Sequence, residues 1–98
     1  MLINKGIAAG EIVTIKTTSG EELVAKLVED TPTGTIVSRP LVLTANAKGQ
    51  PILAPFLFTI DEKTDVTILK SAVMILAPTV DDVVKTYHEQ TKTINLLK

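Results

Sequence analysis

Apolar and polar side chains alternate along two stretches near the start of the chain, and the stretches meet at Ser19-Gly20. In the first, Val13, Ile15 and Thr17 share one face while Thr14 and Lys16 point the other way. In the second, Leu23, Ala25 and Leu27 keep the alternation, with Lys26 and Glu29 left to water. A period of two belongs to a half-buried strand. Gly20 offers the positive φ that a tight reversal needs. The span 11–30 is therefore predicted to be an antiparallel hairpin, and the rest of the chain is organised around it.

Thr31-Pro32-Thr33-Gly34 is the next turn signal, with proline fixing φ and glycine expected in the left-handed region. A third strand starting near Thr35 carries Ile36, Val37, Leu41, Val42 and Leu43, and Arg39-Pro40 predicts a bend or bulge inside it. The polar connection 45–51 has its tip at Lys48-Gly49. Ile52 to Ile60 is almost continuously apolar and predicts a fourth strand covered on both faces, imperfect at Pro55. After the charged turn 61–65, Val66 to Ala77 predicts a fifth strand, interrupted in polarity only at Lys70-Ser71 and stopped by Pro78. From Thr79 the period becomes helical, with Thr79 as N-cap and Asp81 and Asp82 in the first turn, where the helix dipole favours anions. Val80, Val83, Val84, Tyr87, Thr91 and Ile94 fall on one face of this helix, which is expected over about 79–92. The first ten residues read as a loop or a single turn over the barrel mouth. The expected architecture is a mostly β, five-stranded, strongly bent antiparallel barrel over about 11–77 with a C-terminal α-helix, in a single domain spanning 1–98. Short spacing, with no helix after the third strand, favours an SH3-type barrel over an OB barrel.

Composition narrows the function. The 98 residues are 45% hydrophobic and 21% charged, with a net charge of −1, so no strong overall field favours nucleic acid or membrane. The chain has no cysteine, which removes disulfides, thiolate zinc sites and cysteine nucleophiles. No run is long and apolar enough for a secretory leader or a membrane span, so a cytoplasmic protein without a membrane partner is expected.

The hairpin and the last apolar segment resemble the Sm-like family of Sm, LSm and Hfq proteins, and more particularly a divergent member of phage type. The first family signature, hydrophobic-x-hydrophobic followed by glycine, a small residue and leucine, is met by Val13, Ile15, Gly20, Ala25 and Leu27. The second is met by the run from Leu69-Lys70-Ser71-Ala72 to Pro78. The resemblance implies a homo-oligomeric ring in which the fourth strand of one subunit pairs with the fifth of the next. Ile52, Leu53, Phe56, Phe58, Leu69, Val73 and Ile75 are then the expected interface. It also implies single-stranded RNA binding in the host cytoplasm, with Lys70 and Ser71 at the pore and the hydroxyls of Thr31, Thr33 and Thr35 nearby. Where the family presents a stacking residue, an aspartate and an asparagine after the second strand, this chain has Asp30, Thr31 and Thr35. A base cannot stack on Asp30. The alternative expectation is a structural ring that binds proteins through its C-terminal helix and has lost RNA recognition. The bland reading of the two apolar strands is a monomer in which that helix covers them.

Other chemistry is thin. His88 is the only histidine, so neither a metal site nor a catalytic triad is expected around it. The pairs Glu21-Glu22, Glu29-Asp30, Asp61-Glu62 and Asp81-Asp82 lie at turns and a helix start, where solvation and capping account for them. Phe56 and Phe58 share a face in the predicted fourth strand and are expected in the core or an interface before a base-stacking role. Arg39, the only arginine, suits a salt bridge or a phosphate equally. No cofactor and no enzymatic activity are expected.

Overall fold

A computed structural model describes residues 7–96, with side chains through Thr91. The hairpin forms as its alternation requires. β1 (Ile12–Thr17) and β2 (Glu22–Asp30) pair antiparallel, with Val13 opposite Ala25 and Ile15 opposite Leu23. Gly20 takes φ +105° in the reversal, and the Thr17 N–H donates to the Glu21 carbonyl at 2.9 Å. β3 (Gly34–Ala45) follows on the free edge of β2. Its register slips between the pairs Val24–Leu41 and Lys26–Ser38, so Arg39 and Pro40 together oppose Ala25 alone. Arg39 sits at φ +50°, and the bulge expected from Arg39-Pro40 is present.

Beyond β3 the chain departs from expectation. β4 covers only Pro51–Pro55, and residues 56–60 are irregular although they are apolar. Pro55 cannot donate to a ladder, and the facing strand bulges at that level, so pairing stops. The chain leaves the sheet and returns as β5 (Val66–Leu69), which pairs with the first part of β3 from Gly34 to Val37. The single strand predicted from Val66 to Ala77 is in fact two. A 3-10 turn over Lys70–Ala72 carries the chain from the edge of β3 to the edge of β1, where β6 (Val73–Pro78) pairs. The order is β4-β3-β2-β1-β6, with β5 also on β3. The result is an antiparallel sheet that is not closed into a barrel, and the outer edges of β4, β5 and β6 have no strand partner among the described residues.

Alternation splits the sheet's side chains between two cores. Val13, Ile15, Leu23, Ala25, Leu27 and Val37 form one, joined by Phe56, Ile68, Val73 and Leu76. Ile12, Val24, Leu41 and Leu53 form the other on the opposite face, against α1 (Asp81–Leu96). Each fully buried Val, Leu or Ile contributes about 2 kcal/mol of apolar burial. Val83, Val84 and Tyr87 pack on this second core, as the helical spacing predicts, whereas Val80 precedes the helix and is exposed. Ile94 lies outside the residues with described side chains. The helix begins at Asp81, with the N–H groups of Val83 and Val84 donating to the Val80 carbonyl. Thr79 does not cap it, because its hydroxyl is bonded to that of Thr14 at 2.8 Å and its N–H donates to the Ile12 carbonyl.

Three side chains, through four hydrogen bonds, hold α1 to the bulge and its surroundings. The Tyr87 hydroxyl shares its proton between the carbonyls of Ser38 (3.0 Å) and Arg39 (2.9 Å). Gln90 Nε2 donates to the Leu53 carbonyl at 3.0 Å, and Arg39 Nη1 donates to the Thr91 carbonyl at 3.1 Å. Burial pushes the Tyr87 phenol up to about 12 from its ordinary 10.0, because a phenolate there loses its hydration. The folded chain thus keeps a proton that the unfolded chain gives up. The tyrosine's contribution is complete below pH 10 and is lost as pH rises to about 12. Denaturation of wild type and Tyr87→Phe should show the variant less stable by about 1 kcal/mol at neutral pH, with the gap closing between pH 10 and 12; a gap unchanged across that window would contradict a buried neutral phenol.

Candidate functional site

The turn from β2 to β3 and the end of β5 bring most of the predicted RNA-contacting residues together. Thr31 closes the turn, its N–H and its hydroxyl both donating to the Gly34 carbonyl at 2.8 and 2.9 Å, while the Gly34 N–H donates back to the Thr31 hydroxyl. The Lys70 N–H donates to the Thr33 carbonyl at 3.1 Å, fixing the 3-10 turn against this loop. Thr35 is completely buried, and its hydroxyl donates to Asp30 Oδ1 at 2.9 Å. The Lys70 ammonium pairs with that same carboxylate oxygen. Lys70, Thr31, Thr33 and Thr35 therefore form one cluster, and Ser71 lies exposed beside it.

The cluster is differently poised from a cationic RNA site. Asp30, 40 residues from Lys70 in sequence, neutralises it, and no local pattern announces that contact. Both side chains are more than a third exposed, so the pair is worth at most about 1 kcal/mol and gives way to a stronger anion. The Thr35 hydroxyl is enclosed and the Thr31 hydroxyl is used by the turn, so neither is free to meet a ligand. Gly34 is not in the left-handed region that the turn signal suggested. It is glycine because β5 approaches closely, and a Cβ there would meet Thr67 Cγ2 at 2.5 Å and the Ile68 carbonyl oxygen at 3.1 Å.

The predicted interface residues divide. Leu53 is buried beneath α1, and Phe56 and Val73 pack inward on the first core. Ile52, Phe58, Leu69 and Ile75 face outward, and Leu43, Leu57, Ile60, Met74 and Val80 join them. Phe58 is 84% exposed and Leu69 62%. The apolar fourth and fifth strands are thus not covered on both faces as expected, because α1 lies over the face formed by Ile12, Val24, Leu41 and Leu53 and leaves the edges bare. Met74 faces outward because β6 carries an extra residue opposite the step from Lys16 to Thr17, which single-strand alternation could not reveal.

Cavities flank the excursion 56–65. One of about 260 Å³ lies among Arg39, Leu41, Leu57, Phe58, Ile60 and Thr91, and another of about 340 Å³ lies among Leu23, Phe56, Leu57 and Ile68. A third, about 280 Å³, opens between β6, β1 and the start of α1. The first of them also has Asp61 and Glu62 in its lining, with Arg39. His88 is exposed and meets the Tyr87 ring edge-on at 6.0 Å. Glu21 is held below its ordinary value by hydrogen bonds from the hydroxyls of Ser19 and Thr17, which makes it a turn clasp. Among the described residues no group of histidine and carboxylate side chains could hold a metal ion, and no helix is long and apolar enough to cross a membrane.

No protein-family model matches the chain, and no curated protein is significantly similar to it. The close approach at Gly34 is open to test on its own. Gly34→Ala should cost about 1–3 kcal/mol in urea denaturation, and adding Thr67→Ala, which removes Cγ2, should recover part of it. Costs that simply add would mean that the approach of β5 is not what requires glycine.

Proposed function

We propose that the chain is an Sm-like subunit that assembles edge to edge with copies of itself into a ring, and that this ring acts as a structural, protein-binding platform. The observation that carries this reading is the placement of bare apolar side chains on strands whose outer edges have no partner among the described residues: Ile52 on β4, Leu69 on β5, and Met74 and Ile75 on β6. Unpaired edges bearing such residues invite strand addition, and natural proteins that keep them exposed as monomers protect them with charge, proline or a covering element. Pro51 and Pro55 bound β4, Pro78 ends β6 and Lys70 lies between β5 and β6, and Ile52, Leu69, Met74 and Ile75 stay exposed between these guards. Pairing the β4/β5 edge of one copy with the β6 edge of the next is a heterologous contact, which closes into a ring when the rotation between copies permits. The monomeric alternative, in which the helix covers these strands, is met at β4, where Leu53 is buried against α1, and not at Leu69, Met74 and Ile75, which stay exposed. The outward face of α1 carries Asp81, Asp82, Lys85 and Glu89 and would remain accessible on such a ring as a surface for protein partners.

Single-stranded RNA is the second reading, and it rests on the convergence of Lys70, Ser71, Thr31 and Thr33 at one loop cluster. Repeated around a ring, Lys70 would exchange Asp30 for a phosphate and add to a salt-dependent affinity. The neutralising aspartate and the enclosed Thr35 hydroxyl place this reading behind assembly.

In sedimentation, wild type is expected to run as an oligomer, and Leu69→Lys or Ile75→Lys as a monomer with unchanged circular dichroism. Native mass retained by both variants would sink the edge-pairing reading. For the second reading, labelled uridine-rich and adenine-rich oligonucleotides titrated at low and physiological salt should show saturable anisotropy that Lys70→Ala weakens. No binding at low salt would eliminate RNA as a ligand.

A further inference from the structure

Phe58 is the largest apolar side chain left in water, 84% exposed on the excursion that follows β4. Single exposed apolar residues need no explanation in general. This one stands beside one bare edge of the sheet, and an apolar hole of about 280 Å³ stands beside the other. The hole runs over the sheet face from Ala77, Pro78 and Val80 across Thr14 to Leu43, with Glu22 also in its wall and the start of α1 at its side. Its rim residue Val80 is itself 67% exposed.

The ladder leads from the start of the excursion that carries Phe58 to the hole. One rung crosses the whole sheet through the paired residues Pro55, Leu41, Val24, Thr14 and Ala77. Phe58 is three residues past the first of these, and Val24, Thr14 and Ala77 line the hole at the far end. Both also lie toward the face that α1 covers. Phe58 shares its surroundings with Leu41 and Thr91, near the later part of the helix, and the hole includes Val83 near its beginning. A copy translated along the rung so that its β6 edge meets this β4/β5 edge would therefore present its hole to this Phe58.

Resting on the edge-paired ring proposed above, we infer that Phe58 is the anchor of the contact between copies, its ring seated in the cavity between β6, β1 and the start of α1 of the next copy. Aromatic residues entering a preformed apolar pocket are the usual hot spots of such contacts, because the ring is large, rigid and loses little conformational freedom. The contact is heterologous, since the knob and the hole are different surfaces of one chain, and it fixes the stagger between copies that edge pairing alone leaves free to slip.

Two surface variants test this without touching either core. Phe58→Ser and Val80→Asp should each keep the wild-type circular dichroism and raise the concentration for half-assembly in sedimentation equilibrium by at least about tenfold, the smallest effect expected of a hot spot. The chain has no cysteine, so pairing can be read directly. Mild oxidation of the Phe58→Cys/Val80→Cys double variant should give a ladder of covalent multimers, whereas either single variant should stop at dimers. An assembled wild type, with Phe58→Ser assembling equally well and no ladder from the double variant, would overturn the anchor and leave the ring standing. A wild type that sediments as a monomer would overturn both.

Discussion

Two residues of β3 facing one of β2 set the shape of this molecule. To place Arg39 and Pro40 together opposite Ala25, Arg39 adopts φ +50°, a conformation that costs a residue with a Cβ about 1–2 kcal/mol. That cost is offset by what the bulge exposes. The carbonyls of Ser38 and Arg39 turn toward α1 and receive the Tyr87 hydroxyl, and the Arg39 side chain reaches the Thr91 carbonyl. On the other edge of β3, the same irregularity leaves no straight partner for a long fourth strand. β4 ends at Pro55, the Phe56 N–H makes a last contact with the Pro40 carbonyl at 3.3 Å, and the chain swings out before returning as β5. The seat of the helix, the break in the sheet edge and the position of Phe58 are consequences of one backbone event.

That event also explains why so much apolar surface stays uncovered. A single helix can shield one face of a small sheet, and α1 is held by Tyr87, Gln90 and Arg39 over Ile12, Val24, Leu41 and Leu53. The first core fills the other face from within. Both cores take side chains from the edge strands, Leu53, Ile68, Val73 and Leu76, but leave Leu69, Met74 and Ile75 exposed there. Exposure of this kind costs solubility and is sustained when a second chain removes it. The polar cluster at the junction between β5 and β6 is balanced by contrast. Asp30 satisfies Lys70 and Thr35 at once, so the groups that would recognise a phosphate are already engaged within the chain. Assembly therefore has the stronger physical footing, and any nucleic acid must compete with an internal carboxylate.

Much of this was legible in the chain itself. The hairpin, the Arg39-Pro40 bulge, the tip at Lys48-Gly49 and the face carrying Val83, Val84 and Tyr87 all rest on interactions between near neighbours: a period of two or 3.6, a proline, a glycine with positive φ. Lys70, Thr31 and Thr33 were also identifiable as neighbours, because the resemblance aligned the segments that carry them. Where such reasoning failed, a distant segment had intervened. Residues 56–60 read as strand by hydrophobicity, but strand requires a partner, and the bulge removed it. Thr79 had the right side chain for an N-cap, but Thr14, 65 residues earlier, claimed its hydroxyl. Gly34 was correctly marked as special for the wrong reason, since the close passage of β5 and not the sign of φ requires it.

The sequence by itself determined the hairpin of β1 and β2, the bulge at Arg39-Pro40 and where the helix lies, because those properties are set within a few bonds of each residue. Only the tertiary structure decided that the sheet stays open, that Lys70 is matched by Asp30, and that Pro55 and Ala77 fall on one rung. Each of those depends on pairing register between strands far apart in the chain, and register is decided by the sum of all the pairings at once and by no single segment.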